Sequence, residues 1–330
     1  MKHEPKTLQE AIVYFSNPAN CREYLVARRW PNGVTCPRCG SDNVLFLEKY
    51  NRWHCRQKHD APQFTLKTGT IFEDSPLGLD KWLTAMWQIV NCKNGISSYE
   101  VHKAIGITQK SAWFMDHRIR LALGMSHVDK LSGECEADET FIGGKARNMH
   151  IDVKKRRITG SGPKDKTAVM GILERGDDGK NKVIHSKVRT AVITRRKKKT
   201  IQAEVKEHVQ AGAALYSDAL KSYDGLERDY AHKVVDHAVE YVRGKVHTNG
   251  LENFWSLLKR SINGTYVSVE PFHLFRYLDE QEFRFNHRGT RKAPITDGQR
   301  FDLAVRQIVG KRLMYKDLTG KTDPRPAEVF

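Results

Sequence analysis

No run of about 18 uninterrupted apolar residues occurs in the 330-residue chain, so no membrane-spanning helix is expected. The opening residues, Met1-Lys2-His3-Glu4-Pro5-Lys6, lack the apolar core of a secretory leader, which argues for a cytoplasmic protein. Cysteine is scarce, six in all with three clustered, a pattern of a metal site in a reducing compartment rather than of a disulfide framework. Acidic residues are outnumbered, 39 against 56 Lys and Arg, and the formal charge of +17 calls for a polyanionic partner. Nucleic acid leads, although charge alone also suits a ribosome-associated or merely basic protein. A hydrophobic content of 39% is enough for a core and excludes global disorder.

The length suits two or three domains. Residues 1–72 read as a helical lead-in and a small metal-bound ribbon. Leu8, Ile12 and Phe15, then Tyr24 and Leu25, supply apolar faces until Pro31-Asn32-Gly33 breaks the pattern. Strand-like pieces at 44–47 and 63–66 surround the cysteine turns. Residues 73–130 read as a helical, DNA-binding segment. From 131 to 290 β and α patterns alternate, with strands expected at 167–173, 182–188, 213–217 and 233–239 and a helix at 201–209. Helical periodicity then runs over 251–286, broken at Gly264 and Pro271. Residues 291–330 read as a C-terminal tail. Two basic runs, Lys154-Lys155-Arg156-Arg157 and Arg195-Arg196-Lys197-Lys198-Lys199, fall in expected loops, as solvated surface or phosphate contacts.

Cys36-Pro37-Arg38-Cys39 sets two thiolates on a tight turn, the knuckle that grips one side of a tetrahedral zinc. A second knuckle is expected about fifteen residues on, where Trp53-His54-Cys55 stands. Lys58 takes the place of a fourth cysteine and His59 follows it, so Cys36, Cys39, Cys55 and His59 are the expected ligands of a structural zinc. His54 is the poorer choice, because adjacent side chains diverge from a strand. The plainer alternative is a Cys-x-x-Cys turn without metal. Cys21, Cys92 and Cys135 read as ordinary thiols.

Further on, Ser97-Ser98-Tyr99-Glu100 has capping-box form, Gly106-Ile107-Thr108 makes a turn, and Gln109 opens a second helix. That is the outline of a helix-turn-helix, with Gln109, Lys110 and Ser111 facing base edges or phosphates. Ordinary helical hairpins share the outline.

Three carboxylates stand where a metal-dependent phosphodiester enzyme would use them: Asp138 and Asp218 after β-like runs, and Glu252 at a helix start. Two Mg²⁺ or Mn²⁺ ions held by such hard ligands can activate a nucleophilic oxygen and stabilise a leaving one. Lys259 follows Glu252 by seven residues, nearly two helical turns, so both point the same way, and Arg260 is next to it. Glu136 and Glu139 are rivals for the first position, Asp224 and Asp236 for the second, and Asn249 for the third.

With these residues in view, the chain resembles the transposases of the insertion-sequence 1595 family. The resemblance runs through Arg29-Trp30-Pro31-Asn32-Gly33, the cysteine knuckle and Phe64-Thr65-Leu66-Lys67-Thr68-Gly69-Thr70-Ile71-Phe72. It continues through Asp138-Glu139-Thr140-Phe141-Ile142-Gly143-Gly144-Lys145, Ser217-Asp218 with Tyr223, and His247-Thr248-Asn249 with Glu252, Phe254-Trp255 and Leu258-Lys259-Arg260. It closes with Gly264-Thr265-Tyr266, Arg276-Tyr277-Leu278 and Phe283-Arg284-Phe285-Asn286. Two positions depart from the family pattern: Lys58 in the second knuckle, and Val267-Ser268, where histidine is frequent.

The resemblance implies an α/β chain with a ribonuclease-H-like catalytic domain behind a zinc ribbon and a helical segment. It implies Asp138, Asp218 and Glu252 as a DDE triad with Mg²⁺, and Lys259 as its associated lysine. The activity implied is cleavage at an element's terminal inverted repeats and strand transfer to target DNA, by a homodimer or larger assembly near the bacterial nucleoid. The alternatives are a zinc-ribbon and helix-turn-helix regulator that only binds DNA, and a metal nuclease that cuts without joining.

Overall fold

The computed structural model describes residues 4–124, 129–143, 151–152, 166–176, 185–235, 247–290 and 292–320. The chain divides into two compact units, Met125–Ile295 forming one and the segments on either side of it the other.

In the first unit, α1 (Leu8–Phe15) starts where the Thr7 hydroxyl accepts from the Glu10 N–H, and α2 (Pro18–Arg29) starts with Asn17 as cap and Pro18 in its first turn. A three-stranded antiparallel ribbon follows: β1 (Val44–Leu47), β2 (Arg52–Cys55) and β3 (Gln63–Phe64). Trp53 stacks on Phe64 across it, ring centroids 5.9 Å apart. The helix α3 (Leu79–Asn91) buries Trp82, Leu83, Met86, Trp87, Ile89 and Val90. The expected capping box of Ser97 and Glu100 opens α4 (Ser98–Ile105), which ends at Gly106 in the left-handed region, φ 61°. Thr108 then caps α5 (Gln109–Leu123).

The second unit is a five-stranded mixed sheet with helices on both faces. Its strands are β4 (Glu134–Ile142), β5 (Thr167–Glu174), β6 (Lys187–Ile193), β7 (Ala214–Asp218) and β8 (Ala231–Val235), in spatial order β6-β5-β4-β7-β8. The pairs β4–β5 and β5–β6 are antiparallel, whereas β4–β7 and β7–β8 are parallel, and the change of direction requires a crossover. That crossover is α6 (Lys198–His208), whose Ile201 and Val205 bury against Cys135, Ala137, Met170, Ile172 and Leu215. The other face is covered by α7 (Asn249–Arg260) and α8 (Leu274–Asn286), which pack Leu251, Phe254, Trp255, Leu258, Leu278 and Phe285 on Val169, Leu173 and Val188. The outer strand β6 is tied down along its edge. Asn286 exchanges two hydrogen bonds with the Val188 backbone, at 2.7 and 2.9 Å, and Glu282 accepts from the Thr190 N–H at 3.1 Å.

Several expected elements shift. The strand expected at 182–188 is found at Lys187–Ile193, and the one expected at 233–239 at Ala231–Val235; residues 182–184 and 236–239 lie outside the described residues. The basic run 154–157 and the rival Asp236 also lie outside them. The segment read as a C-terminal tail contains α9 (Asp297–Arg306) and α10 (Tyr315–Leu318) and belongs to the first unit. The physical reason is an apolar face: Phe301, Ala304, Val305 and Ile308 are buried, with Phe301 against Phe15 and Trp87 at 5.6 and 5.0 Å between ring centroids. No described helix is long and apolar enough to cross a membrane.

Candidate active site

The ribbon brings Cys36, Cys39, Cys55 and His59 together, with one ligand atom from each lying within 4.8 Å of the others. Cys36 Sγ is 3.5 Å from His59 Nε2, and the Cys39 and Cys55 sulfurs are 3.6 Å apart. His59 Nδ1 is 2.7 Å from the Asp60 carbonyl oxygen. A carbonyl only accepts, so Nδ1 carries the proton and Nε2 presents its lone pair to the sulfurs, as a metal-ligating imidazole must. Burial pushes the Cys36 thiol up, but backbone N–H groups of Arg38 and Cys39 and the neighbouring sulfurs outweigh it and hold the thiol down at about 7. Three thiols and one imidazole at these separations fit a tetrahedral zinc with no open position.

In the second unit the sheet sets the carboxylates. Ala137 on β4 pairs in parallel with Ser217 on β7, so Asp138 and Asp218, one residue further on each strand, leave adjacent strands on one face. This is the face covered by α7. Trp255 on that helix donates from Nε1 to Asp138 Oδ2 at 2.9 Å. Burial pushes the Asp138 carboxyl up to about 6; the Trp255 and Glu139 N–H groups lower it, and the charges of Asp218 and Glu252 raise it further. A cleft of about 500 Å³ opens here, lined by Asp138, Glu139, Thr140, Glu252, Trp255, Ser256 and Lys259. Glu252, Ser256 and Lys259 are exposed at positions i, i+4 and i+7 of α7, one stripe of the helix. Asp218 does not line the cleft; its carboxylate accepts from the Leu220 N–H at 3.2 Å, and its charge reaches Asp138.

The rivals separate by what they touch. Glu136 is buried and works as an anchor. Its Oε2 accepts from the Leu251 N–H at 3.0 Å at the start of α7, and its Oε1 takes the Arg175 Nε at 2.7 Å. Arg175 continues to the His247 carbonyl at 2.6 Å, so the carboxylate and its cation fasten the N-terminus of α7 to the sheet. Glu139 accepts from the Tyr223 hydroxyl and lies 3.9 Å from Arg196. Burial pushes its carboxyl up to about 7; Tyr223 lowers it, Asp218 and Asp138 raise it, and Arg196 lowers it. Asp224 is exposed and Asn249 opens α7; neither lines the cleft.

Of the residues expected to meet DNA, Lys259 lines the cleft and Arg260 is exposed beside it. In the first unit, Gln109 Nε2 donates to Ser98 Oγ at 2.9 Å, Thr108 Oγ1 donates to Ser111 Oγ at 2.8 Å, and Lys110 Nζ stands 4.8 Å from the Tyr315 ring centroid. The start of α5 is therefore locally braced. Arg196, within the second basic run, stacks on Phe141 at 4.8 Å.

Sequence reasoning missed Ser256, Thr140 and the role of Trp255. Ser256 was within reach, being one turn from both Glu252 and Lys259. The Trp255–Asp138 bond was not, because it joins residues from elements distant in sequence.

Comparison with known proteins gives two family matches. Residues 130–286 match the ISXO2-like transposase domain, and residues 16–57 match the transposase zinc-ribbon domain. An uncharacterized protein in transposable element ISH50 of Halobacterium salinarum is 28% identical over 285 residues, covering 83% of this chain and 92% of that protein. An uncharacterized transposase-like protein of Haemophilus influenzae is 29% identical over 102 residues, 31% of this chain and 82% of that protein.

Proposed function

Because the chain belongs to the insertion-sequence 1595 family of transposases, we propose that it is a DDE-type polynucleotidyl transferase. In this reading it binds the terminal inverted repeats of its element, cleaves there and joins the freed ends to target DNA. Asp138, Asp218 and Glu252 are the catalytic carboxylates, on a sheet read as ribonuclease-H-like. Three antiparallel strands followed through a helix by two parallel ones support that fold.

The observation that carries the reading is the setting of Asp138: half-buried on the cleft and held by Trp255, its carboxyl pushed up to about 6 by burial and raised further by Asp218 and Glu252 from two other elements. Carboxyls that crowd one another in this way fit hard divalent cations such as Mg²⁺ or Mn²⁺, and these three would hold two of them. When bound, such ions stabilise the attacking and departing oxygens of an in-line displacement. Trp255 fixes one oxygen of Asp138, and the carboxylate borders the cleft. Lys259, on the same stripe as Glu252, offers its ammonium to a phosphate of the strand, and Ser256 between them offers a hydroxyl. The same groups serve hydrolysis by water and attack by a 3′-hydroxyl, and no covalent enzyme intermediate is needed. Gln109, Lys110 and Ser111 in the first unit, with Lys259 and Arg260 in the second, are the proposed DNA contacts, and pairing two ends calls for at least a homodimer.

The test is strand cleavage and joining on DNA carrying the element's inverted repeats, with Mg²⁺, by wild type and Glu252→Ala. Joining by the wild type, with binding but no chemistry in the variant, is expected. Binding by both without cutting under any divalent ion would hand the function to a non-catalytic regulator, and cutting without joining would leave a nuclease. Cys36, Cys39, Cys55 and His59 hold one structural Zn²⁺ in this proposal. Metal analysis should find one zinc per chain, absent from Cys39→Ser; a wild type free of zinc overturns that part.

A further inference from the structure

The helix that carries Glu252 ends in an unusual way. After Arg260 it widens into one turn of π-helix, Ser261–Tyr266, a form frequent at functional sites. The chain then reverses at Val267, which has φ 62° and ψ −53°, while the Ser268 N–H reaches the Tyr266 carbonyl at 2.6 Å. This is a γ-turn of the rare, strained kind, with a β-branched residue at its centre. Such strain persists only where the surroundings enforce it. Here the residue before Val267 is held from below: the Tyr266 hydroxyl donates to Glu280, which also binds Arg284, and the Tyr266 ring meets Tyr277 edge-on at 4.8 Å. Glu280 is fully buried.

The strained turn pushes apolar surface into solvent. Val267 is 76% exposed, Phe272 59% and Phe275 44%. Phe272, Phe275 and Arg276 share a face where the chain turns into α8, and the Arg276 guanidinium lies 4.9 Å from the Phe275 ring centroid. Around this turn and along this face the cations are Lys259, Arg260 and Arg276, against the acids Glu270 and Asp279. Apolar tips in a net-basic stretch of chain that follows the helix of Glu252 suit a polyanion with stacked apolar rings.

We propose that the turn centred on Val267, with Phe272, is a wedge that unstacks a base of the element's DNA beside the cut. The proposal rests on the transposase reading above. Val267 lies fifteen residues beyond Glu252, about 22 Å along the helix. At about 3.4 Å per nucleotide, the affected base stands about six nucleotides from the scissile phosphate. A rigid, already strained tip inserts without further ordering cost, and contact of this kind contributes about tenfold in affinity.

The experiment uses the full chain and a duplex ending in the element's own terminal sequence, with 2-aminopurine placed in turn at each position near the cut. Ca²⁺ replaces Mg²⁺ so that binding is read without chemistry, and cleavage is measured separately in Mg²⁺. A several-fold fluorescence rise is expected at one position, about six nucleotides from the cut. It should disappear in Val267→Gly, where glycine accepts the positive φ and the fold is preserved or stabilised. Phe272→Ser should lower the same signal and weaken DNA binding about tenfold. Cleavage by the wild type with no fluorescent position, or a signal unchanged in Val267→Gly, overturns the wedge and leaves the transposase reading intact. A wild type that binds no DNA overturns both. If Val267→Gly or Phe272→Ser instead turns a DNA-free dimer into a monomer, the patch is a self-association surface and the wedge is wrong.

Discussion

Asp138 and Glu139 are neighbours on one strand, yet they take partners on opposite faces of the sheet, Trp255 for the first and Tyr223 for the second. Both carboxyls are pushed up, to about 6 and about 7, chiefly by burial. In an unfolded chain such groups ionise near pH ~4. A carboxyl that is harder to ionise in the fold stabilises the fold while protonated, and that contribution is lost as pH rises through 6 and 7. In magnesium-free buffer the Tm should therefore fall between pH 5 and pH 8 by a larger amount in wild type than in Asp138→Asn. Added Mg²⁺ should recover the loss at the higher pH. Equal pH slopes in the two proteins would show that Asp138 carries no such penalty. Sequence alone ranked Asp138 over Glu136 and Glu139 by its place after a β-like run and by family resemblance. What separates the three is the partner of each, and every partner comes from elsewhere in the chain.

At the scale of elements, α7 is located by two close contacts with the sheet. One is the Glu136–Arg175 anchor at its first turn. The other is Gly171, which pairs with Asp138 and lies so close under the helix that a Cβ there would meet the Trp255 ring at 2.6 Å and Leu251 at 2.9 Å. Gly171→Ala must therefore lift Trp255 and loosen its bond to Asp138. The variant should lose about 1–3 kcal/mol of stability in denaturant unfolding, and cleavage should drop about a hundredfold through misplacement of Glu252. A variant with wild-type stability and activity would mean that the helix is free to shift. The helix itself was legible, since Glu252, Lys259 and the apolar residues between them fix its faces by period alone. Its depth on the sheet was not, because a glycine in a strand states only that something comes close, and not what. The limits of β6 and the start of β8 also moved; edge positions alternate weakly, and the partner strands decide where pairing begins.

For the whole molecule, the consequential feature is the order of the units along the chain: the second is inserted within the first, which resumes at Thr296. The apolar spacing of Phe301, Ala304, Val305 and Ile308 was present in the sequence, and so was the Thr296–Gln299 capping box. Distance along the chain led to reading them as a tail, for nothing local says that they return to residues seen at the start. The return is extensive. Phe301 fills space between Phe15, Tyr24 and Trp87, and Asp302 accepts from Arg28 at 2.6 Å. The Ile71 N–H reaches the Ile308 carbonyl at 3.1 Å and the Gly310 N–H the Gly69 carbonyl at 2.9 Å. A fragment of residues 1–124 would open this core and leave the backbone groups of Gly69 and Ile71 without these partners. Loss of Phe301 alone costs about 3–5 kcal/mol, a large share of what a domain of this size has. Residues 125–295 keep both of their apolar clusters. The fragment 125–295 should therefore melt cooperatively, while 1–124 should not until residues 296–320 are joined to it by a flexible linker. Circular dichroism melts of the three proteins decide the matter. A cooperative transition for 1–124 at the temperature of the linked protein would make the return segment dispensable, and the first unit a domain complete before the second begins.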